Sequence, residues 1–284
     1  MLNTFFNKPN YKYEVAICCI IKDEDYLAEW IEYHSLIGIT KFYIYDNGSV
    51  IPINVTLETY VKSGLVEVIS FTGEVMQLPA YDNCLKQYGS LCKWIAFIDA
   101  DEFIVPKTLN GNLPKFLRAY ESYAAIGVNW LVFGSNGHIE KTENTIPSYT
   151  RRSLKSYPRN KHIKSIVQPA FVAKALTPHH FEYKKKWYCV NENFVAILEA
   201  FSEHSSNKIQ INHYFSRSKA DYLHKKQRGR ADTSEASHQR TMDNFYLLEE
   251  KANLIIDESI IELQLIISQL KSGINEDISD PTQW

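Results

Sequence analysis

Two hydrophobic rhythms alternate along the first third of the chain. Val15 to Ile21 is an unbroken apolar run, as expected of a strand buried on both faces. Glu24 to Ile37 then sets Leu27, Trp30, Ile31 and His34 at helical spacing. Lys41 to Tyr45 predicts a second strand, running into Asp46-Asn47-Gly48-Ser49. Val55 to Lys62 predicts a helix closed by Gly64, and Leu65 to Phe71 a third strand. Pro79 to Tyr88 predicts a helix with proline near its first turn, and Trp94 to Ile98 a fourth strand. Strands alternating with helices imply an α/β fold with a largely parallel sheet and right-handed crossovers.

Beyond Phe103 the rhythm changes. Leu113 to Tyr123 reads as a helix and Ala125 to Phe133 as a strand. Gly134 to Asn160 is polar and rich in turn residues, which predicts a long loop, mobile until a ligand closes it. Ile163 to Val167, Phe171 to Leu176 and Ile209 to Phe215 are short strand patterns. Ser218 to Arg230 reads as a basic helix, and an apolar stripe from Phe245 to Leu270 as one or two helices. The division expected is a catalytic domain over 13–230 and a C-terminal helical extension over 231–284.

Composition narrows the function. A chain of 284 residues, 45% hydrophobic and with a formal net charge of −2, is an ordinary globular protein. It lacks the basic excess of a nucleic-acid binder. The 5 cysteines are odd in number and show no C-x-x-C spacing, so reduced, buried thiols are expected. Met1 to Tyr13 has no apolar run, and no apolar stretch of about 20 residues occurs. These features predict a cytoplasmic protein that meets any membrane-bound substrate from the inner face. The run Lys184 to Lys186 with Trp187 and Tyr188 offers a surface for peripheral contact with anionic lipid or acidic glycan.

The chemistry concentrates after the fourth strand, in Asp99-Ala100-Asp101-Glu102. Ligands of open α/β sheets bind beyond the carboxyl ends of the strands. Two aspartates two positions apart project to one side of extended chain and repel each other unless a cation sits between them. Oxygen ligands suit Mg²⁺ or Mn²⁺, which bridges a diphosphate and neutralises charge on a leaving group. On this reading, removing either aspartate relieves repulsion and leaves stability unchanged or higher.

Four stretches together resemble glycosyltransferases of the GT-A fold, in particular glycosyltransferase family 92 and related family 2-like bacterial enzymes. They are Ile21 to His34 (I-K-D-E-D-Y-L-A-E-W-I-E-Y-H), Phe42 to Ser49, Trp94 to Phe103, and Ile211-Asn212-His213-Tyr214 with Ser218 and Lys225 to Gly229. Asp23 stands where the family often has asparagine. The resemblance implies sugar transfer from a nucleotide donor to an acceptor hydroxyl of a glycan or glycolipid, with inversion. It implies a metal held by Asp99 and Asp101, with His213 as a third ligand or else a core histidine; His179 and His180 compete for that role. It places Lys22, Lys164 and Lys225 beside the donor. Asp46 either hydrogen-bonds the base or ribose or serves its own turn, and Asn83 either touches the donor or caps its helix. An inverting transferase needs a general base. Glu102, Glu182, Glu192 and Glu203 are available, with Glu102 first for its place beside the metal strand and Glu192 second. Two other readings are a metal-dependent nucleotidyltransferase, for which Ile21-Lys22-Asp23-Glu24 lacks the glycine-rich phosphate loop, and a non-catalytic nucleotide-sugar-binding module.

Overall fold

The computed structural model describes residues 10–234 and 239–272. In chain order, β1 (Tyr13–Ile21), α1 (Leu27–Leu36), β2 (Lys41–Asp46), α2 (Ile53–Thr56), α3 (Glu58–Lys62), β3 (Val66–Ser70), α4 (Gln77–Tyr88) and β4 (Cys92–Phe97) come first. Then follow β5 (Glu102–Pro106), α5 (Leu113–Leu117), β6 (Ala125–Val132), β7 (Arg151–Arg152), β8 (Ile163–Val167), β9 (Val172–Ala175) and β10 (Phe181–Tyr183). The chain closes with β11 (Cys189–Val190), β12 (Ala196–Ile197), β13 (Ile209–His213), α6 (Lys219–Arg228), α7 (Met242–Ala252), β14 (Ile255–Ile256) and α8 (Ser259–Ser272).

The central sheet is flanked by helices, as the sequence predicts, and it is mixed: parallel around β1, with β8 antiparallel to both β4 and β6. Its order is β12-β11-β6-β8-β4-β1-β2-β3, with β13 bridging β5 and β6. β1 pairs in parallel with β2 on one side and β4 on the other. Their registers join Ile21 to Asp46 and Cys18 to Phe97. The carboxyl ends of all three strands therefore open on one edge of the sheet, and that edge is where the candidate site lies. β1 is apolar without interruption because both of its faces are covered. Val15, Ile17, Cys19 and Ile21 enter one core with α1, α5 and α8, while Ala16, Cys18 and Ile20 enter another beneath α4. All 5 cysteines are free and buried, as their spacing implies.

Sequence periodicity missed β5, which begins immediately after the acidic turn. It pairs antiparallel with β13, from His213↔Glu102 to Ile209↔Pro106. Its other edge is covered by side chains of α1. Trp30 Nε1 donates to the Glu102 carbonyl at 2.8 Å, Tyr33 Oη donates to the Ile104 carbonyl at 2.7 Å, and His34 Nε2 accepts from the Ile104 amide at 3.2 Å. Burial holds the His34 imidazole far below its usual range, at about 3, so the ring is neutral and Nε2 is free to accept. Positions 30, 33 and 34 share one helix face, which is why one helix satisfies three backbone groups of a strand.

Two expected helices are shorter or divided. The 55–62 segment splits into α2 and α3 at Leu57, and the 113–123 segment stops at Leu117 before a 3₁₀ turn over Arg118–Tyr120. The apolar stripe of the C-terminal region forms α7 and α8, with the two-residue β14 between them paired to β7. Of the expected 231–284 extension, 235–238 and 273–284 lie outside the described residues, as do residues 1–9 of the N-terminal reading. Ile260, Leu263 and Ile267 of α8 belong to the principal core. They pack so closely on Gly111 (φ +72°) that a β-carbon there would stand 2.6 Å from Leu263 Cδ1. Among the described residues, no helix is long and apolar enough to cross a membrane.

The 134–160 excursion is held in place along its length. Glu29 accepts hydrogen bonds from the amides of Thr145 (2.6 Å) and Ile146 (2.9 Å). Asn253 Oδ1 accepts from the Asn136 amide at 2.9 Å, and Glu249 Oε1 from the Ser135 amide at 3.0 Å. Ile146 and Tyr149 are buried in the principal core. The expectation of a mobile lid read polarity as solvation, whereas the polar groups are satisfied by α1 and α7. Slow hydrogen exchange at Thr145, Ile146 and Ser153 is therefore expected equally with and without a nucleotide sugar; fast exchange that slows only on ligand addition would restore the lid.

Candidate active site

Asp99 and Asp101 occupy the turn between β4 and β5. The Glu102 amide donates to the Asp99 carbonyl at 3.1 Å, and the Tyr214 amide to the Asp101 carbonyl at 2.9 Å. Both aspartates line a cavity of about 440 Å³ at the carboxyl edge of the sheet. The loops after β1 and β2 contribute Lys22 and Asn47; the loop before α4 contributes Gly73 to Val75. α6 and the chain beyond it add Lys225, Arg228, Arg230 and Arg240. The wall thus mixes carboxylates, with Glu24, Glu74 and Asp232 beside the two aspartates, and cations.

Each aspartate has a buried lysine partner. Lys164 Nζ donates to Asp99 Oδ2 at 2.9 Å, and Lys225 Nζ pairs with Asp101 Oδ2. Gln77 Nε2 donates to Asp99 Oδ1 at 2.9 Å. Burial opposes charge on Asp101, but Lys225 and His213 outweigh it and hold the carboxyl well below the usual range. Burial pulls both Lys225 and His213 below their ordinary values, despite Asp101. Asp101 Oδ1 and His213 Nε2 stand 3.7 Å apart, beyond hydrogen-bond reach, and His213 Nδ1 is buried without a partner. Among the described residues, no three His, Cys, Asp or Glu side chains converge to enclose a metal. Asp99 and Asp101 are instead occupied by Lys164, Gln77 and Lys225.

The other expected residues divide by position. Lys22 and Lys225 are on the cavity wall; Lys164 is wholly buried behind Asp99 and acts through it. His179 is on the wall, its ring driven down to about 2 by burial and by the Lys164 charge. Asp46 and Asn83 are off the wall. Asp46 accepts from the amides of Ser49 (2.9 Å) and Ile53 (3.3 Å), serving its own turn, and Asn83 Oδ1 accepts from Tyr45 Oη at 2.8 Å. Asn47, next to Asp46, faces the cavity instead.

Neither carboxylate nominated as base reaches the cavity. Glu102 is fully buried, and its Oε2 accepts from the Asp99 amide at 2.8 Å. Burial and the charges of Asp99 and Asp101 push its carboxyl well above the usual range, against Lys164. Glu192 fastens the chain entering β13. It accepts from Ser205 Oγ at 2.5 Å and from the amides of Asn207 (2.8 Å), Lys208 (2.7 Å) and Ile209 (3.0 Å). Burial would raise its pKa, but these donors outweigh it and lower it. Glu192→Ala is expected to cost about 3 kcal/mol in urea denaturation, because it strands buried amides; an unchanged midpoint would deny Glu192 that structural role. Its contribution is present above the unfolded carboxyl pKa and is lost as pH falls through the lower folded value.

Lys184, Lys185, Lys186 and Tyr188 are exposed, as a peripheral surface requires, while Trp187 is partly buried. Trp187 stacks on Phe171 with ring centroids 3.5 Å apart, and Lys184 Nζ donates to the Ala170 carbonyl at 2.8 Å. Gln77, Arg217 and Trp130 were not legible as site residues, because none lies in a periodic or acidic motif. Trp130 lines the cavity, its ring 4.2 Å from that of His213.

The sequence profile of glycosyltransferase family 92 matches residues 11–247. A glycosyltransferase family 92 protein of Ricinus communis is 29% identical over 188 residues, covering 63% of this chain and 33% of the relative. One from Oryza sativa subsp. japonica is 31% identical over 189 residues, covering 63% of this chain and 31% of the relative. The chain thus spans about a third of the length of the curated relatives it matches. Among solved structures, residues 1–349 of TarS from S. aureus align with a TM-score of 0.38 at 16% identity, over 55% of this chain and 47% of that one.

Proposed function

The chain belongs to glycosyltransferase family 92, and from that premise we propose that it moves a sugar from a nucleotide-diphosphate donor to an acceptor hydroxyl of a glycan or glycolipid, with inversion. The observation that carries this reading is the pair Asp99 and Asp101 on the wall of a cavity otherwise rich in cations. A diphosphate bears several negative charges and gains another as the glycosidic bond breaks. Lys225, Arg228 and Lys22 are positioned on the wall to stabilise that charge without reorganising. Asp99 and Asp101, with His213 beside them, would hold Mn²⁺ or Mg²⁺, which when bound neutralises the leaving diphosphate.

The acceptor proton goes to a carboxylate of the wall. Glu24 is committed to Arg217 and Arg228, and Asp232 to Arg230. Asp99 and Asp101 are held by Lys164 and Lys225, which leaves Glu74 as the wall carboxylate to test, in place of Glu102 and Glu192. The absence of a glycine-rich loop after β1 favours sugar transfer over nucleotidyl transfer. The direct test is release of nucleoside diphosphate from a panel of UDP-, GDP- and ADP-sugars with Mn²⁺, first without and then with simple glycoside acceptors. Turnover of at least one donor is expected; binding of a donor with no release under any condition would favour the non-catalytic reading.

A further inference from the structure

Arg217 is among the largest fully buried side chains of the molecule, between the end of β13 and the cap of α6. Its φ is +47°, a left-handed backbone in which a residue with a β-carbon is disfavoured and glycine is at ease. A side chain kept at such a position has work that outweighs the strain. The guanidinium divides between two partners. Nη1 pairs with the Glu24 carboxylate in the loop after β1, and Nη2 donates to the Ala100 carbonyl at 3.0 Å. The group lies over the Tyr26 ring, 4.2 Å from its centroid. Tyr26 Oη in turn donates to Asp221 at 3.2 Å, the residue that closes the capping box of α6. α6 also carries Lys225, the partner of Asp101. One guanidinium therefore ties together the loop after β1, the acidic turn and the base of α6.

Ala100 lies between the two aspartates, so the peptide whose carbonyl Arg217 holds also determines where both carboxylates point. We propose that Arg217 is a positioning residue that fixes the Ala100 peptide and thereby aims Asp99 and Asp101 into the cavity. Its importance for turnover rests on the reading of those aspartates as donor and metal ligands; its hold on the turn does not. Lysine cannot replace it, because a single ammonium on a flexible stem does not span both Glu24 and the Ala100 carbonyl with fixed geometry. Displacement of reacting groups by even an ångström is enough to slow an enzyme about a hundredfold.

The experiment uses Arg217→Lys and Arg217→Gly in the full chain, with two readouts. The first is hydrogen exchange at the Asp99 and Glu102 amides, both hydrogen-bonded within the turn. The second is kcat and KM for release of nucleoside diphosphate from UDP-glucose, UDP-galactose and GDP-mannose with Mn²⁺. In Arg217→Lys the two amides are expected to exchange about tenfold faster, as for loss of one charged hydrogen bond. Turnover should fall about a hundredfold with KM little changed. Arg217→Gly should show the same losses with its backbone strain relieved, and added guanidinium should restore part of the turnover. Unchanged exchange at both amides in a folded variant overturns the proposal, as does full kcat. If Arg217→Gly fails to fold, Arg217→Lys decides. A wild-type chain inert toward every donor refutes the enzymatic reading, and the exchange arm then decides Arg217 alone.

Discussion

Replacing either Asp99 or Asp101 by asparagine is expected to lower nucleotide-sugar turnover by about a thousandfold while the fold survives. Asparagine keeps the shape and one oxygen, so Lys164 and Lys225 retain a hydrogen-bond acceptor. What it loses is the negative charge that a divalent ion needs. Alanine is the harsher change, and its effect on stability runs opposite to the sequence-based expectation of relieved repulsion. The two carboxylates do not face each other bare; each is paired with a buried lysine. Asp101→Ala leaves the Lys225 ammonium buried and unpaired and is expected to destabilise the protein by about 3 kcal/mol. Comparing the asparagine and alanine variants by turnover and by chemical denaturation separates the two effects. Full activity in both asparagine variants would end the assignment of this turn as the donor site.

Exhaustive chelation is expected to abolish turnover, and Mn²⁺ or Mg²⁺ to restore it. The ligands supplied by the chain are oxygen-rich, so a thiophilic ion is not expected to substitute. Because no three ligating side chains converge among the described residues, the ion should bind weakly alone and tightly with a nucleoside diphosphate. Titration calorimetry with Mn²⁺, with UDP and with both together measures that coupling, which must be reciprocal. Undiminished turnover after chelation would mean that Lys22, Lys225 and the wall arginines neutralise the leaving group by themselves.

Where the chain repeats a local rule, its fold was legible. β1 announced itself through an apolar run, and the acidic turn through its place after a buried strand. Partnerships across the chain were not legible. Arg217 and Glu24 meet over a separation of 193 positions, and nothing near Arg217 marks it. Glu102 and Glu192 illustrate the opposite error. Glu102 adjoins the metal strand in sequence yet points away from the cavity, and Glu192 is consumed by amides that no pattern could reveal. Asp46 and Asn47 differ by one position, but Asp46 is turned to the Ser49 and Ile53 amides while Asn47, in the loop beyond β2, lines the cavity. The 134–160 excursion was misjudged because its polar groups are buried by partners on α1 and α7, not by a stripe of its own.

The way α1 seals β5 has a consequence for solubility. An open strand edge is a template on which another chain can add by backbone pairing, and proteins blunt such edges by charge, distortion or cover. Here the edge beside the acidic turn is closed by Trp30, Tyr33 and His34, which take up the Glu102 and Ile104 backbone groups. A substitution that preserves bulk but removes the hydrogen bond, such as Tyr33→Phe, would keep the edge covered and leave the Ile104 carbonyl buried without its donor, at a cost of about 1–3 kcal/mol. Tyr33→Ala would also take away the cover, and its signature should be self-association at high concentration or on mild heating.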